Sequence, residues 1–286
     1  MKVGIDSYCY HRFFGEVYPH QNQPTKQMTL EDFIKRAKEL DVDGVSLESC
    51  FIPRFDKAYL SEIKGMLDEF NFDRVYAWGH PDGLEGGKNE AAYDEMIDHI
   101  EYANAIGAKV MRVVGSSLMF RFEDHGPQIE KLSRMFTNAM KVADNYDIKL
   151  ADENHIDYNA DEMLEIIHNV NHPNFGINFD TGNFLRVLDD PIQGMEKLAR
   201  FTFSTHVKDL KINPQAAVND WYFFSCTPVG DGLVDNQKLA QLLKDANYEG
   251  FLAMEIDTLH PDYNDDEDDA VAKSVKELKR IAQSLS

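Results

Sequence analysis

Eight short apolar runs, each followed by a longer segment with helical spacing, succeed one another along this chain. Their centres fall at Val3, Val45, Val75, Val110, Ile148, Ile177, Phe203 and Leu252, at intervals of 42, 30, 35, 38, 29, 26 and 49 residues. The short runs have the length and composition of buried parallel strands. The longer segments place apolar residues three and four apart. Leu30, Phe33, Ile34, Ala37 and Leu40 form one such face, opened by Thr29 as N-cap with Asp32 at the third helical position. Gly107 closes another helix as a C-cap glycine. Repetition of this kind builds a parallel sheet with helices packed outside it, and eight repeats match a (β/α)8 TIM barrel of about 250 residues. An open doubly wound sheet is the alternative, but no glycine-rich phosphate turn follows the first strand. No Pro/Gly/Ser-rich linker divides the chain, so residues 1–286 are read as one α/β domain. The last interval is long because of Asp209–Gly232, read here as a loop.

Charge bounds the partners. The chain has 29 Lys+Arg against 50 Asp+Glu, a formal net charge of −21. Such a protein is repelled by phosphate backbones and by anionic membrane surfaces. No apolar run approaches the ~20 residues of a transmembrane helix. Cys9, Cys50 and Cys226 are far apart and form no C-x-x-C pair, so neither a disulfide framework nor a zinc knuckle is indicated. The N-terminus has no apolar signal segment, and the reducing cytoplasm is the expected compartment. The expected partner is a small molecule, with no nucleic acid and no membrane; a homo-oligomer is compatible with this class.

In a barrel the chemistry sits at the C-terminal ends of the strands. Polar and ionisable residues recur there: Glu48, His80, Arg112, Glu153-Asn-His155, Asp180-Thr-Gly-Asn183, His206-Val-Lys208-Asp209 and Glu255-Ile-Asp257. Glu153, Asp180, His206 and Glu255 occupy one register in four consecutive units and should meet at one point. Three carboxylates gathered without compensation repel, and a divalent cation resolves the conflict. An oxygen-rich set with one imidazole suits Mn2+ or Mg2+, then Co2+ or Zn2+. For Glu48 or Asp257 taken singly, a helix-capping role is the simpler reading.

These residues resemble the xylose isomerase-like TIM barrels. The match rests on Glu153, on Asp180 in Phe-Asp-Thr-Gly-Asn, on His206 in His-Val-Lys-Asp, on Glu255 in Met-Glu-Ile, and on the Gly-x-Gly-x-x-Asp turn Gly230–Asp235. The resemblance spans the chain and implies that Glu153, Asp180, His206 and Glu255 hold a metal. It also implies that Glu153 and Glu255 shuttle a proton on a carbohydrate substrate. Two positions depart from the keto-sugar 3-epimerases: Asn183 stands where a His is usual, and Asn159 where a second Glu is usual. The triplet Glu153-Asn154-His155 instead resembles metal-dependent C-glycoside deglycosidases, which act by β-elimination.

Individual roles follow. In an extended segment residues 153 and 155 share a face, so His155 is a candidate proton-transfer group or an orienting partner of Glu153. Lys208 is a candidate enolate-stabilising cation, or a partner of Asp180 or Asp209. His80, Arg112, Glu48, Asn183 and Trp221 are candidate pocket walls, with Arg112 alternatively pairing with Glu48 or Glu153. The aromatic run Trp221–Phe224 is read as a lid, a subunit contact or packing on the barrel top. The acidic run Asp262–Asp269 is read as a solvated loop entering the last helix. The expected activity is a sugar isomerase or epimerase acting through a metal-stabilised enediolate. The rival is a lyase on a 3-keto sugar or keto sugar acid, by elimination, dehydration or decarboxylation. An endonuclease IV-like nuclease is disfavoured by the charge and the single ligand histidine, and a sugar-binding barrel without catalysis is a further alternative.

Overall fold

A computed structural model describes residues 1–285. Its strands are β1 Lys2–Asp6, β2 Gly44–Glu48, β3 Asp73–Ala77, β4 Val110–Val113, β5 Lys149–Glu153, β6 Phe175–Asp180, β7 Thr202–His206, β8 Asp209–Ile212, β9 Phe224–Thr227 and β10 Phe251–Met254. The helices are α1 His11–Phe14, α2 Leu30–Glu39, α3 Lys57–Glu69, α4 Glu90–Ala105, α5 His125–Ala143, α6 Ala160–Val170, α7 Asn183–Arg186, α8 Pro191–Leu198, α9 Asn236–Asp245 and α10 Glu267–Ser284. Eight strands form one parallel sheet in the order β10-β1-β2-β3-β4-β5-β6-β7. Val207 closes it: its N–H donates to the Ala253 carbonyl at 2.7 Å, and its carbonyl accepts the Glu255 N–H at 3.1 Å. This is the TIM barrel that the strand–helix cadence implies.

Local chemistry starts the helices where the spacing predicts. Thr29 and Asp32 form a reciprocal capping box at α2. Asn159 and Glu162 form another at α6, which accounts for Asn159 as a helix cap rather than a pocket residue. The buried helix faces, among them Phe33, Ile63, Met96, Phe136, Met163 and Leu278, join Ile5, Val45, Tyr76, Met111, Leu150 and Ile177 of the strands in one apolar cluster.

A second, smaller cluster plugs the barrel near the strand N-termini: Val75, Phe251 and Ala253, with Val110 packed on it. Room for the Phe251 ring comes from two glycines. A Cβ on Gly4 would lie 2.3 Å from Phe251 Cδ2, and one on Gly44 would lie 2.7 Å from Phe251 Cδ1. The floor is therefore apolar, and the polar strand ends collect at the opposite mouth.

Two expectations are corrected. Asp209–Gly232 is not a plain loop, because β8 and β9 pair antiparallel as a hairpin over the barrel mouth. Asp-Leu-Lys-Ile alternates as a strand should, but the segment's polarity hid it. The Asp262–Asp269 run is not merely solvated. Glu267 is buried against Arg12, and Asp268 accepts from Arg36 Nε at 2.8 Å and from the Tyr10 hydroxyl at 2.9 Å. Those pairs tie α10 to α1 and α2. No described helix is long and apolar enough to cross a membrane.

The packing at Gly4 predicts that Gly4→Ala lowers the unfolding free energy by about 1–3 kcal/mol through overpacking. Gly65, on the exposed side of α3 with open space around it, should behave oppositely. Gly65→Ala is expected to add about 0.5–1 kcal/mol. Urea unfolding of the two variants checks both signs.

Candidate active site

Four barrel strands deliver the central cluster. Glu153, Asp180 and His206 are the last residues of β5, β6 and β7, and Glu255 directly follows β10. One side-chain ligand atom from each lies within 4.8 Å of the others, and all four residues are buried. His206 Nδ1 is 3.1 Å from Glu153 Oε1 and 2.8 Å from Glu255 Oε2. Asp180 accepts the N–H groups of Gly182 and Asn183 at 2.8 and 2.9 Å on Oδ1, and Lys208 Nζ at 2.6 Å on Oδ2. Asn154 clasps the tips of β5 and β6 together. Its amide donates to the Asp180 carbonyl at 2.9 Å, and its side-chain oxygen accepts the Asp180 N–H at 2.8 Å.

Burial opposes every charge in this cluster, so partners decide the ionisation states. Burial pulls the His206 pKa down, but Glu255 and Glu153 overcome it and lift His206 well above the usual histidine range. Burial raises Glu153 and Glu255, yet His206 with Arg112 holds the first below the carboxylate range, and His206 with Lys208 holds the second at about 2. Asp180 is pushed up to about 6 by burial, against Lys208. The three carboxylates thus gather around a proton on His206. A divalent cation fits the same position, since the donor set is oxygen-rich with one imidazole and its negative charge calls for more than one proton.

A cavity of about 400 Å³ opens above, lined among others by Glu48, His80, Arg112, His155, Asn183, Lys208, Trp221 and Glu255. Every candidate wall residue of the sequence therefore reaches it, whereas Glu153, Asp180 and His206 lie beneath. The cations are all engaged. Arg112 pairs with Glu48, meets Glu153 Oε2 at 2.9 Å through Nε, and donates to the Trp78 carbonyl at 2.9 Å. Lys208 approaches Asp180, Glu255 and Asp257 at 2.6, 3.2 and 3.2 Å. Arg186 forks onto Asp257 at 2.5 and 2.9 Å, so Asp257 is a side-chain anchor rather than a helix cap. Asp209, the alternative partner suggested for Lys208, is occupied elsewhere: it accepts the N–H groups of Leu210, Gly230, Gly232 and Val234. A Cβ on Gly232 would lie 2.1 Å from Asp209 Oδ1, which explains the glycine of that turn.

His155 reaches the cavity by a different route from the one expected. β5 ends at Glu153, and a turn fixed by Asp157 Oδ1 accepting the His155 N–H at 3.0 Å presents the ring. Burial lowers its pKa despite Glu153, which keeps the imidazole neutral near pH 7. His155 Nδ1, His80 Nδ1, Asn183 Nδ2 and Arg186 Nε are buried without a hydrogen-bond partner. At the mouth, Trp221 stands edge-on to Tyr18 and Tyr222 stacks on His20, centroids 5.2 and 3.7 Å apart.

Sequence reasoning missed Asp6, Glu16, Tyr18 and Arg186. Asp6 ends the first strand in the same register as the others and could have been found by that rule. Arg186 stands one helical turn after Asn183, and Glu16 shows itself only through its bond from the Tyr8 hydroxyl at 2.9 Å.

Comparison with known proteins bears on this geometry. The xylose isomerase-like TIM barrel family matches residues 34–281. Over 161 residues the chain is 24% identical to 3-oxo-isoapionate decarboxylase of Pectobacterium atrosepticum, covering 56% of this chain and spanning only about half, 56%, of that relative. It is 24% identical over 215 residues to inosose dehydratase of Clostridium beijerinckii, covering 68% of the chain and 72% of the relative. Among solved structures, D-psicose 3-epimerase with D-tagatose from Clostridium cellulolyticum H10 shares the fold, with a TM-score of 0.75, 13% identity and 100% of both chains covered.

Arg112 serves two buried carboxyl groups at once: it helps hold Glu153 ionised, and it opposes the burial that pushes Glu48 up. Arg112→Met should therefore cost about 3–5 kcal/mol of stability by stranding Glu48 and Glu153. Thermal unfolding against wild type measures it, and an unchanged midpoint would contradict the pairing.

Proposed function

The chain belongs to the xylose isomerase-like TIM barrel family, and within it we propose a divalent-metal-dependent sugar isomerase or epimerase acting on a keto-sugar or related polyol through an enediolate. The observation that carries this reading is the pair Glu153 and Glu255. They approach one His206 nitrogen from different strands, and both are held ionised by cationic neighbours. Glu255 lines the cavity and Glu153 lies beneath it, so a substrate C–H brought down onto the pair would have one carboxylate to take the proton and another to return it. Glu153, Asp180, His206 and Glu255 would hold Mn2+ or Mg2+, which supplies Lewis acidity toward a carbonyl and its neighbouring hydroxyl. Arg112 orients Glu153, and Lys208 orients Glu255 and Asp180. The free nitrogens of His155, His80 and Asn183 suit substrate hydroxyls.

Substrate charge follows from the pocket. Among the described residues, Arg112, Lys208 and Arg186 are each already matched by a carboxylate. No cation is left over for a phosphate, which favours a neutral sugar. The net charge of −21 argues against a duplex nucleic acid on the same scaffold. The three free thiols, Cys9, Cys50 and Cys226, suit a reducing compartment.

One observation favours the lyase reading. His155 is neutral, faces the cavity with a free nitrogen and lies beyond Glu153, where it would accept the proton removed from the substrate and pass it to the leaving group. Both sequence relatives carry lyase names, a decarboxylase and a dehydratase.

The two readings separate by NMR. With Mn2+-loaded protein and a panel of keto-sugars in D2O, deuterium entering an intact carbon skeleton identifies the isomerase, and loss of water, carbon dioxide or a fragment identifies the lyase. No change in any substrate would sink both. Glu153→Gln and Glu255→Gln should each lower kcat by about 10²–10⁴-fold with unchanged circular dichroism. Metal loading must also displace the His206 proton, so affinity should rise with pH below the elevated His206 pKa. Calorimetric titration of Mn2+ in two buffers of different ionisation enthalpy should show net proton release; net uptake or no exchange would contradict it.

A further inference from the structure

We propose that Asp6 is a positioning residue that holds His206 in the one tautomer able to ligate a cation through Nδ1. The inference rests on reading Glu153, Asp180, His206 and Glu255 as one cation site. His206 shows both ring nitrogens to carboxylates. Nδ1 faces Glu153 and Glu255, which belong to the donor set, so Nδ1 is the ligating atom. A ligating imidazole nitrogen must offer a free lone pair, which leaves the ring proton on Nε2. A buried N–H needs an acceptor. Asp6 Oδ2 stands 3.4 Å from Nε2 in ion-pair contact, and both atoms are buried without a hydrogen-bond partner, so a small approach of the two satisfies both.

The alternatives on that side are already committed. Glu48, the nearby second carboxylate, pairs with Arg112. Asp6 itself is fixed, since its Oδ1 accepts the Tyr8 N–H at 2.6 Å and its backbone ends β1 in register with Ser46 of β2. A second cation held by Asp6, Glu48 and His206 is the competing assignment, because these three also come within 4.8 Å of one another. That arrangement would require His206 to ligate through both nitrogens as an imidazolate and would take Glu48 from Arg112. A carboxylate accepting from the outer nitrogen of a metal-ligating histidine is the simpler chemistry.

Asp6→Asn is the informative variant. Its Oδ1 can keep the Tyr8 bond, while its amide nitrogen would donate to Nε2 and drive the ring proton onto Nδ1, the ligating atom. Co2+ titration followed by d–d absorbance should show wild type binding one ion per chain. Asp6→Asn should bind about 10–100-fold more weakly, and Asp6→Ala, which removes the acceptor without offering a donor, should lose less. Circular dichroism of the metal-free variants checks that each is folded; a purely structural role would weaken binding in Asp6→Ala at least as much as in Asp6→Asn, so the order of affinities reads the tautomer. Independently of any variant, long-range 1H–15N spectra of the Zn2+-loaded wild type should show the His206 proton on Nε2. Equal Co2+ affinity in wild type and Asp6→Asn, a proton on Nδ1, or two ions per wild-type chain with one lost in Asp6→Asn would overturn the proposal. Failure of the wild type to bind any ion would instead overturn the metal reading beneath it.

Discussion

Repulsion among buried carboxylates governs the upper half of this barrel. Asp6, Glu48, Glu153, Asp180, Glu255 and Asp257 are all buried at or near the strand ends. Left alone they would protonate or unfold the mouth. The structure answers with three cations whose partners overlap. Arg112 spans Glu48 and Glu153, Lys208 spans Asp180, Glu255 and Asp257, and Arg186 takes the rest of Asp257. His206 stands at the centre, between carboxylates on both sides of its ring. Each group's ionisation therefore depends on several neighbours, and the site behaves as one electrostatic unit.

That unit is affordable because the remainder of the barrel is conventional. Phe251 fills the space over Gly4 and Gly44, so the floor is closed by apolar contact. Helices capped at Thr29 and Asn159 bury their apolar faces outside the sheet. The backbone tips that carry the charged groups are themselves clamped, as the Asn154 clasp between β5 and β6 shows. Polar groups held on strands and clamped by neighbours keep their geometry when a ligand exchanges.

Much of this was legible in the sequence because the barrel repeats one rule. A strand recurs about every thirty to forty residues, and its last inward residue faces the mouth, so Glu153, Asp180, His206 and Glu255 follow from position alone. What escaped was set by contacts without sequence period. Arg186 and Asp257 become a pair only through folding, 71 residues apart. The Asp209–Ile212 hairpin strand was hidden by its polar residues, and the acidic stretch after Pro261 gave no sign that Glu267 would be buried against Arg12. His155 was placed in the pocket for a strand geometry that ends two residues earlier, and the turn at Asp157 supplies the result instead.

Asp209 gathers four backbone N–H groups from both sides of the hairpin, and it adjoins Lys208 by a single peptide bond. Cys226 pins the returning strand to the barrel by exchanging hydrogen bonds with Thr258 and His260. The hairpin's two feet are thus fixed to the charged rim, and the span from Asn213 to Phe223 carries the aromatic face of the mouth without bearing the rim's geometry. Such an arrangement is modular: evolution or an engineer can lengthen, shorten or rewrite that span to admit a different ligand, and the charged ring beneath it need not be rebuilt.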